Sequence, residues 1–287
     1  MHYLLLSILC STAILVIFRY IGKFGLNTFN TIILNYFVAS ILGIILSHRE
    51  LSVFFENTGV WMVFAIIIGI AFVVIFYIMA ITTQKMGVTV SSIASRMSVI
   101  IPVIFSIFYE SESVGMLKVS GIIFALLALF LMVFRGNGQG FERKLFFLPF
   151  LLFLGVGIID STIKYSQVEF METINIIPFS TLLFTIAAIS ALGFHIVKPK
   201  RKMKFNRTTI LFGILLGMVN FGSLFFFVNA LSYEGMDSSV IFGINHVGVV
   251  MLSLLVALLV FKEKVNKLNW IGIFLSIITI FILSISG

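Results

Sequence analysis

The sequence predicts an all-α integral membrane protein of ten transmembrane helices, built as two inverted five-helix repeats. Three observations lead there. First, 60% of the 287 residues are hydrophobic and 10% are charged, with a mean hydropathy of +1.19, against about 25% charged residues in an ordinary soluble domain. A soluble core grows too slowly with chain length to hide that much apolar surface, so lipid has to be the solvent for most of the chain. Second, ten apolar stretches follow one another, each close to the roughly 20 residues that cross a bilayer core. Third, the second half of the chain repeats the first.

In chain order the stretches are 2–18, 29–47, 60–82, 89–109, 115–134, 145–166, 175–197, 208–231, 238–261 and 268–286. The first has nothing basic before it and no small-residue cleavage site after it, so it reads as an uncleaved span rather than a signal peptide. The fourth carries Arg96 and Pro102, the sixth Asp160 and Lys164, and the ninth Asn245 and His246. All ten are apolar on every face, which excludes barrel strands, whose apolar and polar residues alternate. The breaks between them, such as RYIGKFGLNT, TTQKMG, RGNGQGFERK, KPKRKMKFNR and FKEKVNK, are too short to hold a soluble domain. Function therefore resides inside the bundle or at its mouths.

Charge sets the orientation. The loops after stretches one, three, five, seven and nine hold fifteen of the nineteen Lys and Arg; the other side holds Arg49, Lys118 and Lys164, and Arg96 is intramembrane. The positive-inside rule puts the fifteen in the cytoplasm and both termini outside. The same rule accounts for the net charge of +8 without nucleic acid as a partner, and makes KPKRKMKFNR a solvated loop drawn to anionic lipid. A lone Cys10 excludes a disulfide framework or a thiolate cluster, and His2, His48, His195 and His246 lack metal-site spacing. No catalytic residue, metal or cofactor is expected.

The repeat is visible as ESVGMLKVSG, Glu112 to Gly121, against EKVNKLNWIG, Glu263 to Gly272, at an offset of 151. In both, a Glu follows the fourth span of its half and a Gly nine residues later opens the fifth. Upstream, GVTVSS from Gly87 matches GMDSS from Gly235, and Arg19–Tyr20 matches Lys164–Tyr165. Five spans per copy is an odd number, so the copies lie in opposite orientations, the design by which secondary transporters alternate access to a midplane site. The units are 1–134 and 145–287, joined by a loop at 135–144.

The segments TTQKMGVTVSSIASRMSVIIPV and SSVIFGINHVGVVMLSLLVALLVFKEKVNKLNWIGI, with the two Glu-to-Gly junctions, resemble the two EamA repeats of the drug/metabolite transporter superfamily. The resemblance covers nearly the whole chain. It implies a 5+5 inverted-repeat exporter or importer of small metabolites, with spans three, four, eight and nine around a central cavity. It also implies cytoplasmic termini, against the charge count, which is kept here. The second repeat departs from the pattern, having no proline across Gly248 to Met251 where the first has Pro102.

Charges inside spans cost a few kcal/mol each, so each marks a candidate site. Arg96 is the foremost: as a permanent planar cation it suits a carboxylate or phosphate, or else it pairs with an acidic side chain or snorkels to the surface. Pro102 frees the carbonyl of Ser98 and predicts a break in the helix there. Asn245 and His246 hold the matching place in the other half; His246 either carries a coupling proton or serves as neutral interhelical glue, and the second reading is favoured. Gly243 and Gly248 flank them and allow close approach. Asp160 and Lys164, four apart, share a face and predict a local salt bridge. Asn35, Asn220 and Asn229 either bond between helices or face a ligand, and Tyr36, Tyr77, Ser91 and Ser92 can line a cavity. Glu112 and Glu263 read as structural, fixing the turn into the next span, and Gly213 with Gly217 forms a GxxxG close-packing motif.

The expected function is a secondary transporter, not an enzyme, in a bacterial inner membrane. It moves a small organic metabolite, polar or anionic, such as an amino acid. The expected binding residues are Arg96, Asn245, His246, Asn220, Asn35, Tyr77 and Ser92, with a proton as the candidate coupling ion and a monomer or weak homodimer as the assembly. The rivals are a multidrug or cation exporter of the same fold, and a multi-span membrane enzyme, for which the dispersed acids supply no constellation.

Overall fold

A computed structural model describes residues 2–47, 59–109, 115–133, 145, 147–170, 176–197, 205–231 and 238–285. They form eleven α-helices: α1 (His2–Lys23), α2 (Thr28–Ser47), α3 (Trp61–Met86), α4 (Val88–Met97), α5 (Ile100–Tyr109), α6 (Met116–Val133), α7 (Phe147–Phe170), α8 (Ile176–Val197), α9 (Arg207–Leu231), α10 (Ser238–Leu259) and α11 (Lys267–Ile285). Six helical segments are long and apolar enough to cross a membrane: His2–Lys23, Thr28–Ser47, Trp61–Met86, Val88–Tyr109 taken as one, Ile177–Val197 and Arg207–Ala230. Four shorter apolar segments accompany them: Val119–Leu131, Phe147–Ile163, Ile244–Leu259 and Lys267–Ile282. This is an all-helical chain compatible with a multi-pass membrane protein.

The exterior fits that setting. Large apolar side chains stand exposed in stripes at helical spacing, such as Val63, Ile66, Ile67, Ile70 and Val74 on α3 and Ile123, Leu126, Leu127 and Phe130 on α6. Inside lie two main cores. One gathers Phe18, Ile32, Tyr36, Val73, Phe184 and Leu216 from α1, α2, α3, α8 and α9. The other gathers Ile93, Ala125, Leu152, Val250 and Ile273 from α4, α6, α7, α10 and α11.

The main packed helix pairs are α6 with α11, α2 with α8, α4 with α10, α1 with α3, α9 and α10, α9 with α2, α3 with α4, α7 and α8, α7 with α4 and α5, α10 with α11, and α4 with α6. Small residues set the closest approaches. A Cβ on Gly213 would lie 2.5 Å from Leu34, and one on Gly217 would lie 2.7 Å from the Asn35 carbonyl. The GxxxG motif is thus spent inside the chain, seating α9 on α2. Gly248 does the same for α10 against Ile8 of α1.

Two polar breaks turn out to be helical. RYIGKFGLNT is helix as far as Lys23, and TTQKMG is helix as far as Met86. Contacts between the two helix ends hold them: Arg19 of α1 donates to the backbone carbonyls of Thr83 and Gln84 in the last turn of α3, where the Gly87 amide also bonds to the Thr83 carbonyl. At the same end, asparagines cap three helix starts. Asn27 accepts from the Asn30 amide, Asn206 from Thr209 and Asn266 from Asn269. Glu112, Gly235 and most of the KPKRKMKFNR loop lie outside the described residues, as do the side chain of Lys164 and the surroundings of Gly243.

Candidate functional site

The stretch 89–109 is two helices, because Pro102 has no N–H to give the Ser98 carbonyl and its ring crowds it. The chain tightens instead: Ile101 donates to the Ser98 carbonyl at 2.9 Å and Val99 to that of Arg96 at 3.4 Å. Serine hydroxyls serve the carbonyls of the last turn, Ser95 to Ser92 at 2.9 Å and Ser98 to Ser95 at 2.5 Å. Such side-chain bonding to the preceding turn is what makes a helix break tolerable in an apolar interior.

The break places Arg96 in the last turn of α4, where the partial negative charge of the helix end favours a cation. The side chain is half-buried. α4 packs against α3, α7 and α10, and two of these neighbours present polar groups to Arg96. Asp160 of α7 acts on it electrostatically, although no direct ion pair joins the two among the described residues. The imidazole of His246 on α10 is hydrogen-bonded to the Arg96 backbone. Arg96 and His246, which the sequence suggested as matching places, therefore meet in space.

Around this trio, buried polar atoms stand without a partner among the described residues: Ser92 Oγ, Arg96 Nε and Asn245 Oδ1. Ser92 is fully buried and Asn245 is 3% exposed. A buried polar atom left unbonded costs about 1–3 kcal/mol, so three such atoms on the packed helices α4 and α10 call for a polar partner there. The group can bind an anion at the guanidinium, a donor or cation at Asp160, and neutral polar groups at Ser92 and Asn245. Among the described residues no three His, Cys, Asp or Glu side chains gather as a metal site would require.

The other predicted binding residues lie elsewhere. Asn220 on α9 donates to Asn35 on α2 at 3.1 Å, so these amides are interhelical glue in the other core. Tyr77 is 41% exposed and continues the outward apolar stripe of α3, one turn beyond Val74, with its ring against Phe29. It faces away from the interior because helical spacing puts it on that stripe. Asn229 bonds back to the Phe225 carbonyl of its own helix, Tyr36 donates to the Phe72 carbonyl and Ser91 to that of Met79.

No known family's model matches this sequence. The chain is 27% identical over 294 residues to an uncharacterized protein of Haemophilus influenzae, covering 99% of this chain and 97% of that one. It also superposes on the crystal structure of another protein with a TM-score of 0.63 at 17% identity, over 98% of this chain and 94% of the other. That likeness is one of fold. It extends over nearly the whole length of both chains.

Two functional candidates escape the sequence reading. Asp160 is four residues from Lys164, and helical spacing alone suggests that local pair; its relation to Arg96 exists only because α7 packs on α4. Glu263, read as fixing its own turn, sends its carboxylate to another helix. It accepts from the Val88 amide at 2.7 Å, the Thr89 amide at 3.4 Å and the Thr89 hydroxyl at 3.0 Å.

Proposed function

We propose that this chain is a secondary transporter of ten membrane spans in two inverted five-helix halves, α1–α6 and α7–α11, with α4 and α5 as one broken span. The observation that carries this reading is the pattern of helix contacts. Exchanging the halves, so that α1 becomes α7, α2 becomes α8, α3 becomes α9, the α4–α5 span becomes α10 and α6 becomes α11, maps most of the larger contacts onto one another, the contact of α1 with α3 being the exception. The contact of α1 with α9 becomes that of α7 with α3; α1 with α10 becomes α7 with α4 and α5; α2 with α9 becomes α8 with α3. The contacts α2–α8, α6–α11 and α4–α10 map onto themselves. A two-fold axis in the membrane plane relates the halves of alternating-access carriers in this way.

Within that frame Arg96, Asp160, His246, Ser92 and Asn245 form the solute site, at the junction of α4, α7 and α10. Fixed charges of both signs on separate helices, with unbonded polar atoms beside them, suit a small metabolite that carries an anionic group together with a donor or cationic group, such as an amino acid. Arg96 holds the anionic group through two N–H donors, and Asp160 orients the other end. The resemblance of two segments of the sequence to EamA repeats supports the same reading.

The test is a thermal-shift screen of detergent-purified protein against amino acids, nucleosides, sugar phosphates and hydrophobic cations, repeated on Arg96→Ala and followed by uptake into proteoliposomes. A polar or zwitterionic solute should stabilise the wild type, lose its effect in the variant and show saturable uptake. Stabilisation of both proteins by hydrophobic cations alone would replace this reading with drug export.

A further inference from the structure

One end of the bundle, where α1, α3, α8 and α10 finish and α2, α4, α9 and α11 begin, carries most of the basic residues and is sealed by contacts between helices of the two halves. Leu15 of α1, Val88 of α4 and Ala257 of α10 close into one fully buried apolar cluster, with Met79 and Phe261 packed against it. Above that plug the chain leaving α10 reverses at Lys262, whose φ of 51° lies in the left-handed region. The reversal turns Glu263 back over the bundle.

Its carboxylate then lands on the first turn of α4. That helix has no cap of its own: it begins at Gly87, which lacks a side chain. The orphan amides of Val88 and Thr89 and the Thr89 hydroxyl are bonded by Glu263 instead, a negative group at the positive end of a helix. Gly87, with φ of 103°, leaves the room, since a Cβ there would lie 2.7 Å from the carboxylate. The bond joins the end of α10, which bears Asn245 and His246, to the start of α4, which bears Ser92 and Arg96.

We propose that Glu263 is the latch of the basic mouth, holding α10 of one half to α4 of the other and releasing when the central site opens to that side. The opening step rests on the alternating-access reading above; the latch contact does not. When Glu263 lets go, the α4 amides are exposed to water at the mouth, and the Leu15–Val88–Ala257 plug loses the tie that holds its two sides together.

The test is sided thiol labelling in sealed membrane vesicles. The background is Cys10→Ser, the reporter is Ser92→Cys one turn inside the latch, and Lys264→Cys, exposed at the basic end, calibrates which side the impermeant maleimide reaches. Glu263→Ala removes all three bonds and should raise reporter labelling from the basic side at least about tenfold, the shift expected from one charge-assisted hydrogen bond alone. Thr89→Val, which removes only the hydroxyl bond, should raise it by a smaller factor. Unchanged labelling in a Glu263→Ala protein that melts as the wild type does would overturn the proposal, and so would an equal rise from both sides. If Glu263→Ala does not fold, Thr89→Val decides by the same criteria. Faster one-sided labelling in a protein for which no solute shows uptake upholds the latch and rejects the transport reading.

Discussion

Asn220 donates to the side chain of Asn35 across the seam between α2 and α9, one turn from the point where Gly217 brings the two backbones together. The Asn35 amide nitrogen in turn donates to the Leu216 carbonyl at 3.1 Å. A buried amide pair between apolar helices is worth about 0.6–2 kcal/mol. Asn220→Ala should lower stability by about that much, measured by denaturant or thermal unfolding in detergent. Any solute that stabilises the wild type should stabilise this variant equally, because the pair stands apart from Arg96.

Gly217→Leu should be worse than Asn220→Ala. The added side chain meets Val38 and the Asn35 carbonyl, and overpacking of this kind costs about 1–3 kcal/mol. Because the GxxxG face is occupied by α2, Gly213 and Gly217 substitutions should leave the oligomeric state in detergent unchanged; light scattering during gel filtration checks this.

Arg96 and Asp160 should behave as a coupled pair. Removing either charge leaves the other without its counter-charge in a largely apolar interior, which should cost less than the ~3–5 kcal/mol of a broken buried ion pair. The double variant Arg96→Ala with Asp160→Ala should therefore be more stable than the sum of the single losses predicts. A strictly additive double-mutant cycle in thermal unfolding would show that the two do not interact. Uptake should be lost in all three variants.

Pro102→Ala restores an N–H that can bond to the Ser98 carbonyl and heals the break between α4 and α5. Stability should rise, by up to about 1 kcal/mol, the worth of one intramolecular hydrogen bond. Uptake should fall, because Arg96 leaves the helix end that orients it. Circular dichroism, melting temperature and uptake on the same preparation test both signs.

The apolar stretches predicted nearly every helix, because a run of about 20 apolar residues has few other stable states in or out of lipid. Pro102 likewise announced the break at Ser98. The boundaries at Lys23 and Met86 were not legible, since they depend on Arg19 reaching carbonyls more than sixty positions away. For the site, Arg96, His246, Asn245 and Ser92 stood out as polar residues within apolar runs. Tyr77, Asn35 and Asn220 stood out by the same criterion and lie elsewhere, because the spans are apolar all round and carry no periodic signal for which face turns inward. Asp160 and Glu263 were assigned local partners, the default when only sequence spacing is known. Their structural partners come from helix packing.

The broken helix bears on how such a chain is made. A ten-residue α4 extends about 15 Å, half of the roughly 30 Å a bilayer core requires, and it holds three serines, a threonine and an arginine. It is too short and too polar to partition into lipid by itself. It has to enter joined to α5 and remain unsettled until α7 and α10, synthesised later, wall it in. The centre of the bundle is then completed only after its periphery, and a truncation before α10 should leave the α4 segment exposed to quality-control proteases while α1 to α3 persist.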